Sequence, residues 1–572
     1  MGKVQILSED IIKRISAGEV IERPASIVKE LLENSLDAKA DSMEIYIQKA
    51  GKKLIKIKDS GVGIEYDDIE KIFYRHATSK ISSIGDLDSI SSLGFRGEAL
   101  YSIAAISDII VSSRTQTSQT GWEIHIRGGE KIGLKPVSML LGTSIEVREI
   151  FFNTPARRKF LKSDTSEMQQ ILNIIIPYTI IYHNCRFLLN HNNRIIFDLS
   201  PAENILDRIE KILNINKEHL IVINKEIPDE KVSLRFILGD VNIQRVRKDM
   251  QFIFINGRPV QNRGINTVVN LVYKEFFPPE VYPFFIIDMK VPVEDIDVNV
   301  HPTKREVKIN NEFNLTLLLR SLCTETLVSY GKAKNIEFSS QILQKPSQFF
   351  TLQDKAKQQS DFLFTTQQKL SPAENKPGET VSSTLLSKLT NAQYIGSFLN
   401  KYIIFDSGDS ILFIDQHSAH ERITFERYKK EMETGQVEVQ TLLIPFLIKL
   451  SYQEMLMWEE TKGFLEEIGF STTKLDNQTI AVHSHPIFIL RFQDAVKNIL
   501  TEDKKIITLD KEEIAKRACR FSVMAGTVIT KQEAEHIRDS LIKCSVPFVC
   551  PHGRPTVIEI SEKTLDKQFL RE

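Results

Sequence analysis

The sequence predicts a multidomain α+β protein in which a polar tether joins two folded regions. The chain has 572 residues, of which 42% are hydrophobic, enough for several cores. Residues 1 to about 330 mix helical and strand patterns. Residues 336–386 are rich in Gln, Ser, Lys, Thr and Pro and lack sustained periodicity, which predicts a flexible linker. Ordered patterns resume at residue 387 and continue to residue 572.

Composition excludes several classes of protein. The formal net charge is -1, so any nucleic-acid binding must use local basic patches rather than a global field. The 5 cysteines are too few and too uneven for a secreted disulfide framework and indicate a reduced, intracellular setting. Charged residues near the N-terminus argue against a signal peptide. The sequence contains no apolar run of the roughly 20 residues that span a membrane, so no membrane partner is expected.

The first informative element is "RPASIVKELLENSLDAKA", which predicts a helix. Pro24 suits a helix start, and one apolar face is formed by Ile27, Val28, Leu31 and Leu32. Glu30, Asn34 and Asp37 share the other face. Glu30 could deprotonate a water, and Asn34 could hold a hydrated Mg²⁺. In isolation, a solvated helix face explains the same pattern.

A hairpin and a glycine loop follow. "SMEIYIQKAGKKLIKIKDSG" alternates apolar and polar residues on both sides of "KAGKK", which predicts two paired strands. Asp59 falls on the apolar face and needs hydrogen-bond donors, and the amine of adenine is one. Gly61 and Gly63 would let a ligand approach, although a simple turn is the alternative. In "SLGFRGEALYSI", Gly94 and Gly97 precede a helix whose first N–H groups can cradle phosphates.

Together these motifs resemble the ATPase family shared by DNA gyrase, the large heat-shock chaperone ATPases, histidine kinases and MutL. "AGEVIERPASIVKELLENSLDA", "DSGVGI", "RHATSKI", "GFRGEAL" and "FFNTPARRKFL" resemble the MutL family in particular. The resemblance implies an ATPase α/β sandwich at 1–205 and a transducer-like second α/β subdomain of ribosomal-protein-like type at 206–335. After the linker it implies an α/β dimerisation and endonuclease domain at 387–572, with an inserted regulatory subdomain at about 450–545.

The resemblance also implies roles at an ATP and Mg²⁺ site. Glu30 would be the general base, Asn34 the Mg²⁺ ligand and Asp59 the adenine contact. Lys304 in "EDIDVNVHPTKREVKI" would reach the terminal phosphate as a point charge; by its position alone it is a surface lysine. The further nucleotide-binding positions are Gly63, Thr78, Ser79, Lys80, Gly94, Phe95, Arg96, Gly97, Glu98, Ala99, Leu100 and Thr143.

Two basic stretches are candidates for DNA contact. "PARRKFLK" contains Arg157 and Arg158, and "NIQRVRKDMQFIFINGRPVQNRG" contains Arg258 and Arg263. Such patches bind phosphates without sequence preference, although basic clusters are often merely solvated. The resemblance implies non-specific binding of double-stranded DNA between two ATP-closed subunits.

The C-terminal region contains a candidate metal site. In "SILFIDQHSAHERITFE", Asp415 would end a strand, and His417 and Glu421 would follow at the start of a helix; a structural role is common for such residues. Downstream, Cys550 and His552 flank a proline, which favours an extended residue before it and so places the two side chains on one side. The mixed set suits Zn²⁺ and Mn²⁺, and metals there could activate water at a phosphodiester.

These stretches resemble elements of nicking-type MutL proteins. Asp415, His417, Glu421 and Glu426 match "D-Q-H-A-x-x-E-x-x-x-x-E", with Ser418 in place of the alanine. "ACR" supplies Cys519, and "CPHGRP" and "DKQFLR" match further elements. The implied catalytic residues are Asp415, His417 and Glu421. The implied Zn²⁺ or Mn²⁺ ligands are Asp415, His417, Glu421, Cys519, Cys550 and His552.

"QTLLIP" completes the candidate sites. Gln440, Leu442, Leu443 and Pro445 have the form of a motif that docks into a sliding-clamp pocket, although a core strand is the alternative. The expected function is that of a homodimeric, ATP-gated mismatch-repair endonuclease of the bacterial cytoplasm, associated with the nucleoid and acting after the mismatch-recognition protein MutS. The alternatives are a matchmaker whose metal set is structural, and a topoisomerase or histidine kinase of the same ATPase family.

Overall fold

The computed structural model divides the chain into two compact units. They comprise residues 1–337 with 449–460, and residues 338–448 with 461–572. The structure describes residues 21–80, 93–94, 97–228, 231–240, 242–245, 247–274, 281–297, 308–309, 312–333, 379–434, 437–487, 489, 492–501, 529–551, 553–569 and 571. Within these residues, no helix is both long and apolar enough to cross a membrane.

An eight-stranded mixed sheet forms the base of the first unit. Its strands are β1 Ser42–Gln48, β2 Leu54–Asp59, β3 Asp108–Arg114, β4 Gly121–Arg127, β5 Glu130–Val137, β6 Gly142–Arg148, β7 Arg186–His191 and β8 Arg194–Leu199. The order is β5-β4-β3-β6-β2-β1-β7-β8. Strands β1 and β7 run parallel, and the other neighbours are antiparallel. The predicted hairpin is confirmed, since β1 and β2 pair from Met43 with Asp59 to Gln48 with Leu54.

Helices cover the buried face of this sheet. They are α1 Pro24–Asp37, α2 Ala99–Ile106, α4 Asp164–Ile181 and α5 Ile205–Leu213, whereas the short helix α3 Pro155–Phe160 has no buried residue. Alternate residues of β1 and β3 are buried, as expected for a sheet with one face in a core. Helix α1 packs on α4 and β2, and α2 packs on β3 and β4. The predicted α/β sandwich is thereby confirmed.

The second subdomain of this unit has its own core. Its strands are β9 Leu220–Ile227, β10 Val232–Gly239, β11 Gln244–Arg245, β12 Gln251–Ile255, β13 Arg258–Val260, β14 Tyr282–Pro283, β15 Phe285–Lys290, β16 Ile296–Asp297 and β17 Lys308–Ile309. Five of them form a sheet in the order β13-β12-β15-β10-β9. Helices α6 Arg263–Tyr273 and α7 Glu312–Ala333 pack on each other, and their apolar side chains share a core with the sheet.

The second unit contains two smaller sheets. Its strands are β18 Gln393–Phe398, β19 Tyr402–Asp406, β20 Ser410–Asp415, β21 Val439–Lys449, β22 Ser471–Lys474, β23 Thr479–Pro486 and β24 Val557–Ser561. One sheet has the order β18-β19-β20-β24 and the other β21-β23-β22. The helices from residue 379 onward are α8 Glu379–Asn391, α9 Gln416–Thr434, α10 Tyr452–Glu467, α11 Phe492–Thr501, α12 Lys531–Ile542 and α13 Glu562–Gln568. Helix α12 packs on α8 and α9.

Two predicted boundaries differ from the structure. Helix α8 begins at Glu379, inside the predicted linker 336–386, and its Leu389 is buried in the core of the second unit. The inserted subdomain was predicted at about 450–545, yet its sheet begins with β21 at Val439. Helix α12 lies within the predicted insertion but packs in the core that contains β19 and β20, because its Ala534 and Ile537 are buried there. Residues 334–378 lie outside the described residues.

Candidate functional site

Helix α1 presents the predicted general base, Glu30, and the predicted Mg²⁺ ligand, Asn34, on its less buried face. The four apolar residues of its predicted inner face are all at most 1% exposed. That packing fixes the helix, because helices of this length are stabilised mainly by tertiary contacts. Glu30, Asn34 and Asp37 are half-buried on the other face. The carboxylate and amide groups predicted to serve a water and a cation therefore lie along one accessible surface.

Asp59 is anchored at the end of β2 by donors from three elements. Its Oδ2 accepts a hydrogen bond from Ser35 Oγ at 2.9 Å. Its Oδ1 accepts from the N–H of Gly61 at 2.9 Å and from that of Thr143 at 3.3 Å. Burial raises the pKa of Asp59, and these three donors partly offset the increase. These hydrogen bonds hold the carboxylate in a fixed orientation. A group that recognises a donor on a ligand needs such an orientation.

Two glycines allow close backbone contacts around this site. Gly63 has φ +80°, and a Cβ there would lie 2.3 Å from the carbonyl oxygen of Arg114. Gly97 has φ +62°, and a Cβ there would lie 2.4 Å from the carbonyl oxygen of Ala77. Any other side chain would be both strained and obstructed at these positions. Gly97 therefore brings the "GFRGEAL" segment directly against "RHATSK".

A lysine ammonium lies where a cation is predicted. Lys80 Nζ is 3.0 Å from Asn34 Oδ1 and 2.5 Å from Asp37 Oδ2. The carboxylate of Asp37 also accepts the N–H groups of Leu93 at 2.9 Å and Gly94 at 3.1 Å. Amide and carboxylate oxygens are the ligands that Mg²⁺ prefers. The residues present therefore fit a hydrated Mg²⁺ held by Asn34 and Asp37, with Lys80 as its stand-in.

The remaining predicted nucleotide residues lie around the same surface. Thr78 accepts the N–H of Lys80 at 3.2 Å, and Ser79 is exposed. Glu98 lies 3.3 Å from His76, just before Ala99 and Leu100 begin α2. Thr143 is buried, and its hydroxyl bonds to Ser113 at 2.9 Å. Three predicted residues lie outside the described residues: Phe95, Arg96 and Lys304.

Three residues of this region were not predicted from the sequence. The sequence predicts Asp37 on the polar face of α1 but does not assign it a role. Its position three residues after Asn34, which places both side chains on one face, is the signal that could have identified it as a second Mg²⁺ ligand. Glu33 is 1% exposed and its carboxylate accepts the hydroxyl of Tyr178. Tyr178 lies on α4, more than a hundred residues along the chain. No local pattern indicates that pairing.

The predicted DNA contacts divide into exposed and buried arginines. Arg158 and Arg263 are exposed, and half-buried Arg157 donates to the carbonyl of Ile21 at 3.4 Å. Arg258 is 7% exposed, and its Nη2 donates to the carbonyl of Leu93 at 2.7 Å. The prediction that Arg258 contacts DNA is therefore corrected. Its guanidinium group contacts the backbone of Leu93 and is too buried to contact a DNA phosphate.

The start of α9 carries the predicted nuclease residues. Asp415 is the last residue of β20, and its Oδ1 accepts the N–H of Ser418 at 2.7 Å, as a helix cap does. His417 Nε2 lies 3.3 Å from Glu421 Oε1 one turn later, and Glu421 is buried. The hydrogen bond that His417 makes to Glu421 raises the pKa of the imidazole. Asp415, His417 and Glu421 thus occupy one end of the helix, as predicted.

The segment that contains Cys550 lies against this helix end. The N–H of Asp415 donates to the carbonyl of Thr556 at 3.0 Å. Arg422 Nε donates to the carbonyl of Val549 at 2.6 Å. Cys550, only 1% exposed, begins a tight turn that its own N–H closes on the carbonyl of Arg554 at 2.7 Å. Two motifs that are more than a hundred residues apart therefore meet at one place.

A complete ligand cluster is not assembled in the described part of the chain. No group of three or more His, Cys, Asp and Glu side chains converges there in a way that could hold a metal ion. Two predicted ligands, Cys519 and His552, lie outside the described residues. Among those described, Asp415 caps its own helix and His417 pairs with Glu421.

Glu426, the last residue of the nicking-type element, holds a turn. Its carboxylate accepts the N–H of Ser545 at 2.6 Å, the hydroxyl of Ser545 at 3.0 Å and the N–H of Val546 at 3.2 Å. That turn leads into Val549 and Cys550. Glu426 therefore positions the cysteine segment relative to α9.

The predicted clamp motif lies on β21, and much of that strand is exposed. Leu443 is 104% exposed and Ile444 83% exposed, whereas Leu442 and Pro445 are half-buried. Gln440 is also exposed. Exposed apolar residues in a row commonly mark a surface that a partner covers.

Three family models match different parts of the chain. Residues 22–149 match "Histidine kinase-, DNA gyrase B-, and HSP90-like ATPase". Residues 209–328 match "DNA mismatch repair protein, C-terminal domain". Residues 395–529 match "MutL C terminal dimerisation domain". The first match contains Glu30, Asn34 and Asp59, and the third contains Asp415 and the clamp motif.

Similar proteins extend the match to the whole chain. The DNA mismatch repair protein MutL of Clostridium acetobutylicum is 33% identical, with 100% of each chain covered. That of Carboxydothermus hydrogenoformans is 34% identical, also with 100% of each chain covered. A solved N-terminal domain of a DNA repair protein is 26% identical with a TM-score of 0.50, covering 56% of this chain and 99% of its own. Full-length similarity at this level, together with the ATPase and dimerisation domains, shows that the chain belongs to the DNA mismatch repair protein MutL family.

Proposed function

We propose that this chain is a mismatch-repair ATPase that nicks DNA through a metal-dependent C-terminal endonuclease. It couples mismatch recognition by MutS to the downstream repair steps. The observation that supports the nicking proposal is the contact of the start of α9, which carries Asp415, His417 and Glu421, with the segment that contains Cys550. One backbone hydrogen bond, from Asp415 to Thr556, and one bond from the Arg422 side chain to the carbonyl of Val549 join the two segments.

The ATP half of the proposal assigns a task to each side chain. Asp59 accepts the adenine amine, and Asn34 and Asp37 hold Mg²⁺, which neutralises phosphate charge when bound. Glu30, on the same face of α1, accepts a proton from the attacking water. Residues 94–100 cover the phosphates, and Lys304 reaches the terminal one. ATP binding closes two subunits around double-stranded DNA.

The nicking half uses the residues at the start of α9. Asp415, His417, Glu421 and Cys550, together with Cys519 and His552, would hold Zn²⁺ or Mn²⁺. A metal bound there would polarise a phosphodiester and promote ionisation of water. Glu426 fixes the segment that contains Cys550 relative to α9 by accepting the N–H group of Ser545.

The partners follow from the exposed surfaces. The exposed side chains of Arg158 and Arg263, with half-buried Arg157 beside Arg158, contact phosphates without sequence preference. Residues 440–445 dock into a sliding clamp. The C-terminal dimerisation domain joins two copies into a homodimer. We place the protein in the bacterial cytoplasm, at the nucleoid.

The decisive experiment is nicking of supercoiled plasmid with Mn²⁺. The parent should nick, Asp415→Asn should not, and ATP hydrolysis should survive in that variant. Glu30→Ala should show the opposite pattern: ATP hydrolysis should fall by about 100-fold or more, while nicking should persist. Asp539→Asn is the matched control, because Asp539 is an exposed carboxylate on α12. It should nick like the parent.

A matchmaker without nuclease activity is the second candidate. It is favoured by the lack of a three-ligand cluster among the described residues. If the parent fails to nick, or if Asp415→Asn nicks equally well, the C-terminal set is structural and this second function takes the lead.

A further inference from the structure

A buried carboxylate lies one turn beyond the proposed general base. Glu33 is 1% exposed on α1, and its Oε1 accepts the hydroxyl of Tyr178. Lys29 Nζ lies 3.6 Å from the same oxygen. Burial raises the pKa of Glu33, while the charges of Lys29 and Arg258 and the hydroxyl of Tyr178 oppose that increase. The ionised form therefore depends on nearby cations for its stability.

One of these cations comes from the second subdomain. Arg258 follows the two-residue turn between β12 and β13, where Asn256 has φ +50° and Gly257 has φ +78°. Positive φ at both positions is the geometry that Asn-Gly favours in a tight hairpin. A Cβ on Gly257 would lie 2.9 Å from the hydroxyl of Tyr182, just after α4. The turn is therefore seated against the ATPase subdomain, with Arg258 directed into it.

Arg258 also binds the backbone where the proposed phosphate segment begins. Its Nη2 donates to the carbonyl of Leu93 at 2.7 Å. The N–H of Leu93 donates to Asp37 Oδ1 at 2.9 Å, and the N–H of Gly94 donates to Asp37 Oδ2 at 3.1 Å. Residue 93 is thus fixed on one side by α1 and on the other by the second subdomain.

We propose that Arg258 is a positioning residue for ATP hydrolysis. It holds Leu93, and through Leu93 it fixes Gly94, whose N–H group donates to Asp37 on α1. This inference rests on the proposed placement of residues 94–100 at the phosphates.

The test compares a diphosphate with a triphosphate. Asp59 would bind adenine at the end of β2, so loss of Arg258 leaves that contact intact. In Arg258→Met we expect ADP affinity within about 3-fold of the parent. We expect affinity for a non-hydrolysable ATP analogue to fall by about 10-fold and kcat by about 100-fold, with a smaller change in KM. Titrations use the full-length chain with Mg²⁺, and circular dichroism checks folding.

Two further variants separate positioning from general stability. Arg258→Lys keeps the charge beside Glu33 and one donor, so it should recover part of the triphosphate preference and of kcat. Arg235→Met removes a half-exposed arginine of the same subdomain, 3.7 Å from Asp288. It should leave both affinities and kcat unchanged.

The outcomes are distinguishable. A parent that neither binds nor hydrolyses ATP overturns the proposed function itself. If the parent is active and Arg258→Met keeps the triphosphate preference and kcat, or loses ADP and analogue affinity equally, the positioning role is overturned. If Arg258→Met does not fold, Arg258→Gln, which keeps a hydrogen-bond donor but not the charge or the length, replaces it: a selective loss of analogue affinity and kcat supports the role, and values equal to the parent's refute it.

Discussion

At the scale of single residues, Asp59 shows how a local pattern predicts a binding group. It continues the period-two face of Ile55 and Ile57, which are buried. A carboxylate in that position is unfavourable unless it has donors, because desolvation penalises the charged form. The structure supplies three donors and leaves further acceptor capacity, since a carboxylate offers about four lone pairs. Asp59 is therefore a buried carboxylate with acceptor capacity left for a further donor, which is what the adenine contact proposed for it requires.

We predict that Asp59→Asn separates binding from stability. Burial raises the folded-state pKa of Asp59, so the stability that it contributes is present at low pH and lost as the pH rises through that value. At pH 7 the neutral amide should therefore give a Tm equal to or above that of the parent, and the difference should shrink towards pH 4. ATP binding should fall by about 10-fold or more, because an NH₂ group would face the adenine amine.

The control for this prediction is Asp67→Asn, at an exposed carboxylate of the loop after β2. It should change neither Tm nor ATP binding. Calorimetric titration and thermal unfolding at two pH values measure both quantities. A large drop in Tm for Asp59→Asn at pH 7 would contradict the argument.

Arg258 shows where residue-level prediction fails. Arginines are usually exposed, and the basic stretch "NIQRVRKDMQFIFINGRPVQNRG" indicated a DNA surface. Its side chain is buried because the Asn256–Gly257 turn directs it towards Leu93 and Glu33. The Asn-Gly pair does predict a tight hairpin. Which way the hairpin faces depends on packing against the end of α4, and no local pattern contains that information.

At the scale of elements, regular periodicity was predictable and tertiary anchoring was not. Helix α1 and the β20–α9 junction occur where their patterns indicated. Helix α8 was assigned in part to the linker, since its first half is polar and rich in Ser and Thr. It is helical because Leu389 is buried in the core with Phe405 and Ile537, which is a long-range effect.

Helix α9 gives the element-scale prediction. Glu426→Ala removes the acceptor of two backbone N–H groups and one hydroxyl at Ser545 and Val546. We expect the turn at 545–546 to loosen, at a cost of about 1–3 kcal/mol. Hydrogen exchange of residues 543–556 should accelerate, and nicking should fall while ATP hydrolysis persists. Glu433→Ala, at an exposed position of the same helix, should change none of these. Unchanged exchange in Glu426→Ala would refute the anchoring role.

At the scale of the whole molecule, the two compact units contain different candidate sites. The first contains the candidate nucleotide site and the second the candidate nicking site. Variants should therefore divide into those that impair hydrolysis and those that impair nicking. Strand β21 adds a candidate binding surface, because its exposed apolar side chains are of the kind that a protein partner covers.

We predict that Gln440→Ala with Leu443→Ala weakens binding to a bacterial sliding clamp by about 10-fold or more, because a buried anchor and its polar contact carry most of the energy of such motifs. Leu447→Ala is the matched control, since Leu447 is 54% exposed on the same strand but outside the motif. Surface plasmon resonance measures affinity, and light scattering measures mass. An equal loss of clamp affinity in Leu447→Ala would refute the assignment of residues 440–445 as the clamp-binding motif. A halved mass of the double variant in solution would assign β21 to the dimer interface instead.

The parallel pairing of β1 with β7 has a consequence for how the protein is made. The register joins Ser42 to Arg186 and Ile47 to His191, so the sheet gains its last two strands, β7 and β8, only after the ribosome has synthesised nearly two hundred residues. Glu33 likewise meets Tyr178 late. Contacts of such long sequence separation form slowly. The nascent chain therefore contains the residues of α1 long before it contains α4 and β7, the elements whose packing completes this subdomain.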